Sequence, residues 1–213
     1  MVINKQQGLA KGYAFTSMEG AILVLRDAQD RAKKEGYFPI WEPATIVTLP
    51  ADVAIRLSLT KKDRVPSRGG ATTLPSIVDI IPTIENREDA LLIDKKTFQD
   101  QGKTPLFYVD SDELIAPPPL INGSNDESPA KPLFLRKQDL LEEWSKQHPD
   151  GRPPPRIHAI DLTFVFEAAI RGYVTKIPND GNIVFVPDQE QVDIANKMRK
   201  DGLTMYKLDR MIV

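Results

Sequence analysis

"PLFLRKQDLLEEW", residues 132–144, changes its period halfway along. Leu133, Phe134 and Leu135 form an apolar run too short for a helix, and the polar stretch Arg136–Asp139 then leads to Leu140, Leu141 and Trp144 at helical spacing. A short buried strand passes straight into an amphipathic helix, without a linker. Such a unit buries one sheet face and one helix stripe against each other. The fold therefore turns on whether the chain repeats it.

The same pattern occurs near the amino terminus. "YAF" (13–15) precedes "TSMEGAILVLRDAQDRAKKEG", where Met18, Ala21, Ile22, Leu25, Ala28 and Ala32 follow helical spacing. Thr16 and Glu19 stand as in a capping box, and Gly36 lies where a helix stops. "ATIVTL" (44–49) and "RIHAI" (156–160) then read as strands, each leading into a further helix. Asp161 is a candidate N-cap for a helix with Leu162, Val165, Phe166, Ala169, Ile170 and Tyr173 on one face. In the earlier copy Pro50 opens a helix carrying Ala51, Ala54, Ile55, Ser58 and Leu59. "ALLID" (90–94) with "TPLFYVD" (104–110), and "NIVFVPD" (182–188) with "LTMYKLD" (203–209), close the halves. The reading is α+β: two pseudo-repeated lobes, 1–103 and 104–213, each a small sheet covered on one side by amphipathic helices.

Loops separate these elements. "RVPSRGGATTLP" (64–75), "IAPPPLINGSNDESPAKP" (115–132), "HPDGRPPPR" (148–156), "IPNDG" (177–181) and "WEP" (41–43) are rich in proline or glycine, which break helix and strand ladders.

Composition narrows the function. The 213 residues include 41% hydrophobic and 27% charged residues with a net charge of -2, so no general charge attraction to nucleic acid exists. Cysteine is absent, which removes disulfides, thiolate metal sites and thiol catalysis. No apolar run approaches the roughly 20 residues of a membrane-spanning helix.

Chemical motifs are equally scarce. His148 and His158 lack carboxylates at metal-ligand spacing, and the acidic run at Asp110, Asp112 and Glu113 lacks the glycine of a calcium loop. "SRGG" (67–70) has neither the lysine nor the spacing of a phosphate-binding loop. No acid, base and nucleophile converge, so neither catalysis nor a cofactor is expected. "YFPIW" (37–41) instead places Tyr37, Phe38, Ile40 and Trp41 between a helix and a strand, a composition that suits partner binding.

"TPLFYVDSDEL", "PLFLRKQDLLEEWSK", "RIHAIDLTFVFEAA" and "NIVFVPDQEQV" together resemble the twenty-two-kilodalton soluble component of the translocon at the inner chloroplast envelope. That family has plant, algal, apicomplexan and cyanobacterial members. Its hallmark is a proline-valine-phenylalanine-like strand, then a short strand turning into an acidic amphipathic helix. The similarity covers residues 100–190 well and 12–60 by pattern, while "YFPIWEP" and "RVPSRGGATTLP" depart from it. The resemblance implies two related halves and a non-catalytic, chaperone-like component of plastid protein import, binding polypeptide clients through apolar grooves. A fixed structural subunit of a plastid membrane complex, contacting neighbouring protein subunits, is the alternative. Either implies the plastid, in the intermembrane space or against a membrane, and a targeting segment cleaved beforehand.

Overall fold

The computed structural model describes residues 2–4, 9–36, 38, 42, 44, 46–48, 51–59, 64–65, 74–100, 102–116, 130–170, 183–200 and 205–206. The architecture is α+β and divides into two compact units. One comprises residues 1–83 with 190–213, the other residues 84–189.

In the first unit, strands β1 (Val2–Asn4), β2 (Leu9–Phe15), β4 (Arg64–Val65) and β5 (Leu74–Ile81) form a four-stranded sheet in the order β1-β2-β5-β4. The central pair β2 and β5 is parallel, and both outer pairings are antiparallel. A smaller sheet joins β3 (Ile46–Val47) to β10 (Met205–Tyr206), antiparallel. Helix α1 (Met18–Glu35) follows β2 and buries Ala21, Ile22, Leu25 and Ala32, as their spacing predicts. Its cap lies one residue later than the sequence suggested. Ser17 Oγ accepts from the Gly20 N–H at 3.1 Å, whereas the Thr16 N–H donates to the Ile81 carbonyl at 3.0 Å. Gly36 ends the helix at φ 80°, where a side chain is costly. Helix α2 (Ala51–Leu59) buries Ile55.

One further reading is corrected here. The stretch 64–75 is not loop throughout, since its two ends pair as β4 and β5. Strand β5 itself, "LPSIVDII", has no counterpart in the sequence reading, being masked by the glycine and proline that precede it. "ALLID" closes helix α3 (Ile84–Ile93), with the short helix α4 (Lys95–Phe98) beyond it. Asp94 caps α4 by accepting from the Thr97 N–H at 3.1 Å. Hydrogen bonding from Thr97, through its side chain and then its backbone, holds the Asp94 carboxyl below its ordinary range.

In the second unit, β6 (Pro105–Val109), β7 (Lys131–Phe134), β8 (Ile157–Asp161) and β9 (Ile183–Val186) form a sheet in the order β8-β6-β7-β9. Only β7 and β9 run parallel. Phe107 faces Phe134 and Ala159 across the strands, and all point to one side. On that side α3, α4 and helix α5 (Lys137–Gln147) supply Ala90, Phe98, Leu140 and Trp144 to a single apolar core. Helix α6 (Leu162–Ile170) buries Leu162, Val165 and Ala168, and its Phe166 stacks on Phe185 at 4.8 Å on the opposite side. Asp161 acts as the sequence proposed, accepting from the Thr163 N–H at 3.4 Å and hydroxyl at 2.6 Å. Helix α7 (Gln189–Lys200) follows β9 and carries buried Met198 into the first unit's segment.

Core position should govern the response to truncation. Leu140→Ala, at a side chain with no solvent exposure, is expected to cost about 2–5 kcal/mol. Leu92→Ala, on α3 but 84% exposed, should change stability by less than about 0.5 kcal/mol. Urea unfolding of the two variants checks the contrast.

Candidate functional site

Strand alternation gives the second unit's sheet two unlike faces. One is the apolar core. The other carries Leu106, Tyr108, Leu133, His158, Ile160 and Phe185, following the cross-strand register. Leu106 and Leu133 are buried, while Tyr108, His158, Ile160 and Phe185 remain half-buried. Tyr108 and His158 are register partners, and their rings stack at 5.2 Å. Burial, then the neighbouring Asp110 carboxylate, raises the Tyr108 phenol above its ordinary value.

Lys131 opens β7 beside this pair. Only 3% of its side chain is exposed, which a lysine tolerates only when its ammonium is paired. Its Nζ lies 3.1 Å from Asp110 Oδ1 and 5.9 Å from the Tyr108 ring centre. The arrangement is a paired cation seated on an aromatic face. It stabilises a surface with apolar bodies and polar tips, a composition common where proteins meet partners.

A second polar cluster sits where β7 turns into α5 and β9 into α7. Arg136 Nη1 lies 3.5 Å from Asp188 Oδ1 and 3.8 Å from Asp139 Oδ1. The other Asp139 oxygen is buried with no hydrogen-bond partner among the described residues. Burial, reinforced by Asp188 and Glu142 and opposed by Arg136, pushes the Asp139 carboxyl up to about 6. For Arg136 burial is the largest single influence and lowers it, but Asp188, Asp139 and Glu85 together raise it. Lys137 Nζ binds Asp89 Oδ1 at 2.6 Å, tying the same turn to α3.

The sequence singled out other residues. Phe38 is half-buried just past the end of α1, with Lys33 Nζ 4.9 Å from its ring centre and its carbonyl accepting from the Glu42 N–H at 2.9 Å. Tyr37, Ile40 and Trp41 lie outside the described residues. The two histidines hold structural positions. His158 stacks on Tyr108, and buried His148 stacks on Trp144 at 3.9 Å. Among the described residues no group of acidic or histidine side chains is arranged to hold a metal ion. No described helix is long and apolar enough to cross a membrane.

Asp139 generates a pH dependence whose sign is fixed. A carboxyl held above its ordinary value of 3.8 favours folding below that value, and the benefit is lost as pH rises through about 6. The side chain is 21% exposed, so the full shift is discounted to on the order of 1 kcal/mol. Asp139→Asn should therefore raise the melting temperature by roughly 2–4 °C near neutral pH and flatten the wild-type gain between neutral pH and about pH 5. Thermal melts across that range measure both effects.

No family model matches the chain, and no curated protein does so either. Among solved structures, the chain is similar to "Anabaena Tic22 (protein transport)", with TM-score 0.56 and 18% identity, covering 92% of this chain and 84% of that one. A second likeness is to "Tic22 from Plasmodium falciparum", with TM-score 0.42 and 17% identity, covering 59% of this chain and 56% of that one. The alignment over nine-tenths of the chain shows that this protein has the fold of Anabaena Tic22.

Proposed function

We propose that this protein is a non-catalytic component of plastid protein import that binds polypeptide in a chaperone-like way. The observation that carries the reading is the shared fold with Anabaena Tic22, a protein described by its role in protein transport. The distribution of apolar side chains supports it. Tyr13, Leu23, Val24 and Leu57 in the first unit and Phe164 in the second are exposed, and client capture needs accessible apolar surface rather than a catalytic pocket. In the proposal Tyr37, Phe38, Ile40 and Trp41 belong to the first unit's contact surface, and the half-buried Tyr108 to a separate surface of the second unit. Residence in the plastid, in the intermembrane space or against a membrane, follows from the same reading. So does descent of the halves 1–103 and 104–213 from one ancestral unit, a proposal supported by the strand–helix order seen twice along the chain.

Affinity purification from the native membrane tests the reading. Many unfolded or partly folded polypeptides, recovered below one per molecule, are expected. A single partner at fixed stoichiometry would replace this proposal with a permanent structural subunit. Phe38→Asp should weaken retention of an unfolded, carboxymethylated test protein by about fivefold, in line with loss of one aromatic contact, as measured by fluorescence anisotropy.

A further inference from the structure

Beyond β6 the chain turns through Asp110–Glu113 and then runs as Leu114-Ile115-Ala116 beside the carboxyl end of α5. Leu114 and Ala116 are buried, whereas Ile115 between them is 51% exposed. Burial thus alternates as in a strand, although no strand among the described residues pairs with it. Gln147, on the last turn of α5, takes the place of one. Its Oε1 accepts from the Ile115 N–H at 2.9 Å, and its Nε2 donates to the Ile115 carbonyl at 2.8 Å. Glu143 Oε1 accepts from the same Nε2 at 2.9 Å and so orients the carboxamide.

An exposed backbone gains little from such a fixture, because water satisfies its polar groups equally well. A two-point grip on the N–H and C=O of one residue is how a partner strand is recognised without regard to its side chains. Selectivity comes from the neighbouring positions. Leu114 enters the apolar core beside Trp144, and Ala116 occupies a buried position with a small side chain. Ahead of them, Glu113 Oε2 lies 3.2 Å from Arg152 Nη2 and 3.9 Å from His148 Nε2. Trp144 donates to the Arg152 carbonyl at 2.9 Å and stacks on His148, which positions both basic groups.

We infer that the Gln147 end of α5 is a seat for extended polypeptide, filled in the resting molecule by the chain's own residues 113–116. The partner it fits is an extended segment with an acidic residue, a large apolar residue, any residue, and then a small apolar residue. The internal strap competes with such a client and sets the threshold for binding. This inference rests on the polypeptide-binding reading above and specifies where one contact is made.

The test uses the full chain and a fluorescein-labelled, reduced and carboxymethylated α-lactalbumin as a permanently unfolded probe. Ile115→Pro removes the N–H that Gln147 grips, and Ala116→Glu expels the strap's small anchor, while both leave the seat unchanged. Each is expected to tighten probe binding by about fivefold, the worth of roughly one hydrogen bond. Adding Gln147→Ala to either should reverse the gain. Hydrogen exchange on the unmodified chain gives an independent readout, because saturating probe should speed exchange at the Ile115 amide. Equal affinity in folded strap variants, or an Ile115 amide still protected under saturating probe, overturns the inference but leaves polypeptide binding standing. Absence of probe binding by every variant overturns both.

Discussion

The structure depends on two junctions at which a strand becomes a helix with almost no chain between them. At each, the first residue past the strand donates its N–H to the last residue of the parallel neighbour: Thr16 to Ile81 at 3.0 Å, and Leu135 to Val186 at 3.3 Å. A backbone donor buried at such a bend would otherwise be unsatisfied, at a cost of a few kcal/mol. The bond also fixes which way the helix departs, since no linker remains to absorb a rotation. From there α1 must lay Ala21, Ile22 and Leu25 inward, and α5 must lay down Leu140 and Trp144. Parallel pairing of β2 with β5, and of β7 with β9, is the frame that makes these donors meet their acceptors.

Charge is concentrated at the second junction. Arg136 there faces Asp139 and Asp188, with Asp89 and Lys137 forming a separate pair beside it. At the first junction the corresponding role falls to a neutral amide. Gln191 Oε1 accepts from the Met18 N–H at 2.8 Å, and its Nε2 reaches Glu19 at 3.4 Å. The two turns are thus closed by different chemistry: one by the carboxamide of Gln191, the other by ion pairs around Arg136.

Legibility in the sequence followed burial. Helices α1, α5 and α6 each bury a stripe, so their apolar spacing announced them. Asp161 was readable as a cap because a short acceptor preceded a clear helical run. Strand β5 was not, because "LPSIVDII" continues from a glycine- and proline-rich stretch that reads as loop. The helix that ends in "ALLID" gave a weak signal, since of its four successive apolar residues only Ala90 is fully enclosed. His158 was visible by itself, but its meeting with Tyr108 and Lys131 depends on the β6–β8 and β6–β7 registers, which no local pattern encodes. Gln147 gave no signal at all, being one polar residue on a polar helix end.

One feature bears on the order in which the molecule is made. The second unit is a continuous stretch, 84–189, whereas the first joins residues 1–83 to a segment beginning at Glu190. Domains assemble as their chain emerges, amino end first. Here the earliest synthesised portion must wait, its α1 amino end unlatched until Gln191 has left the ribosome. Vectorial synthesis therefore makes the later unit complete before the earlier one, so the first unit's fold closes last.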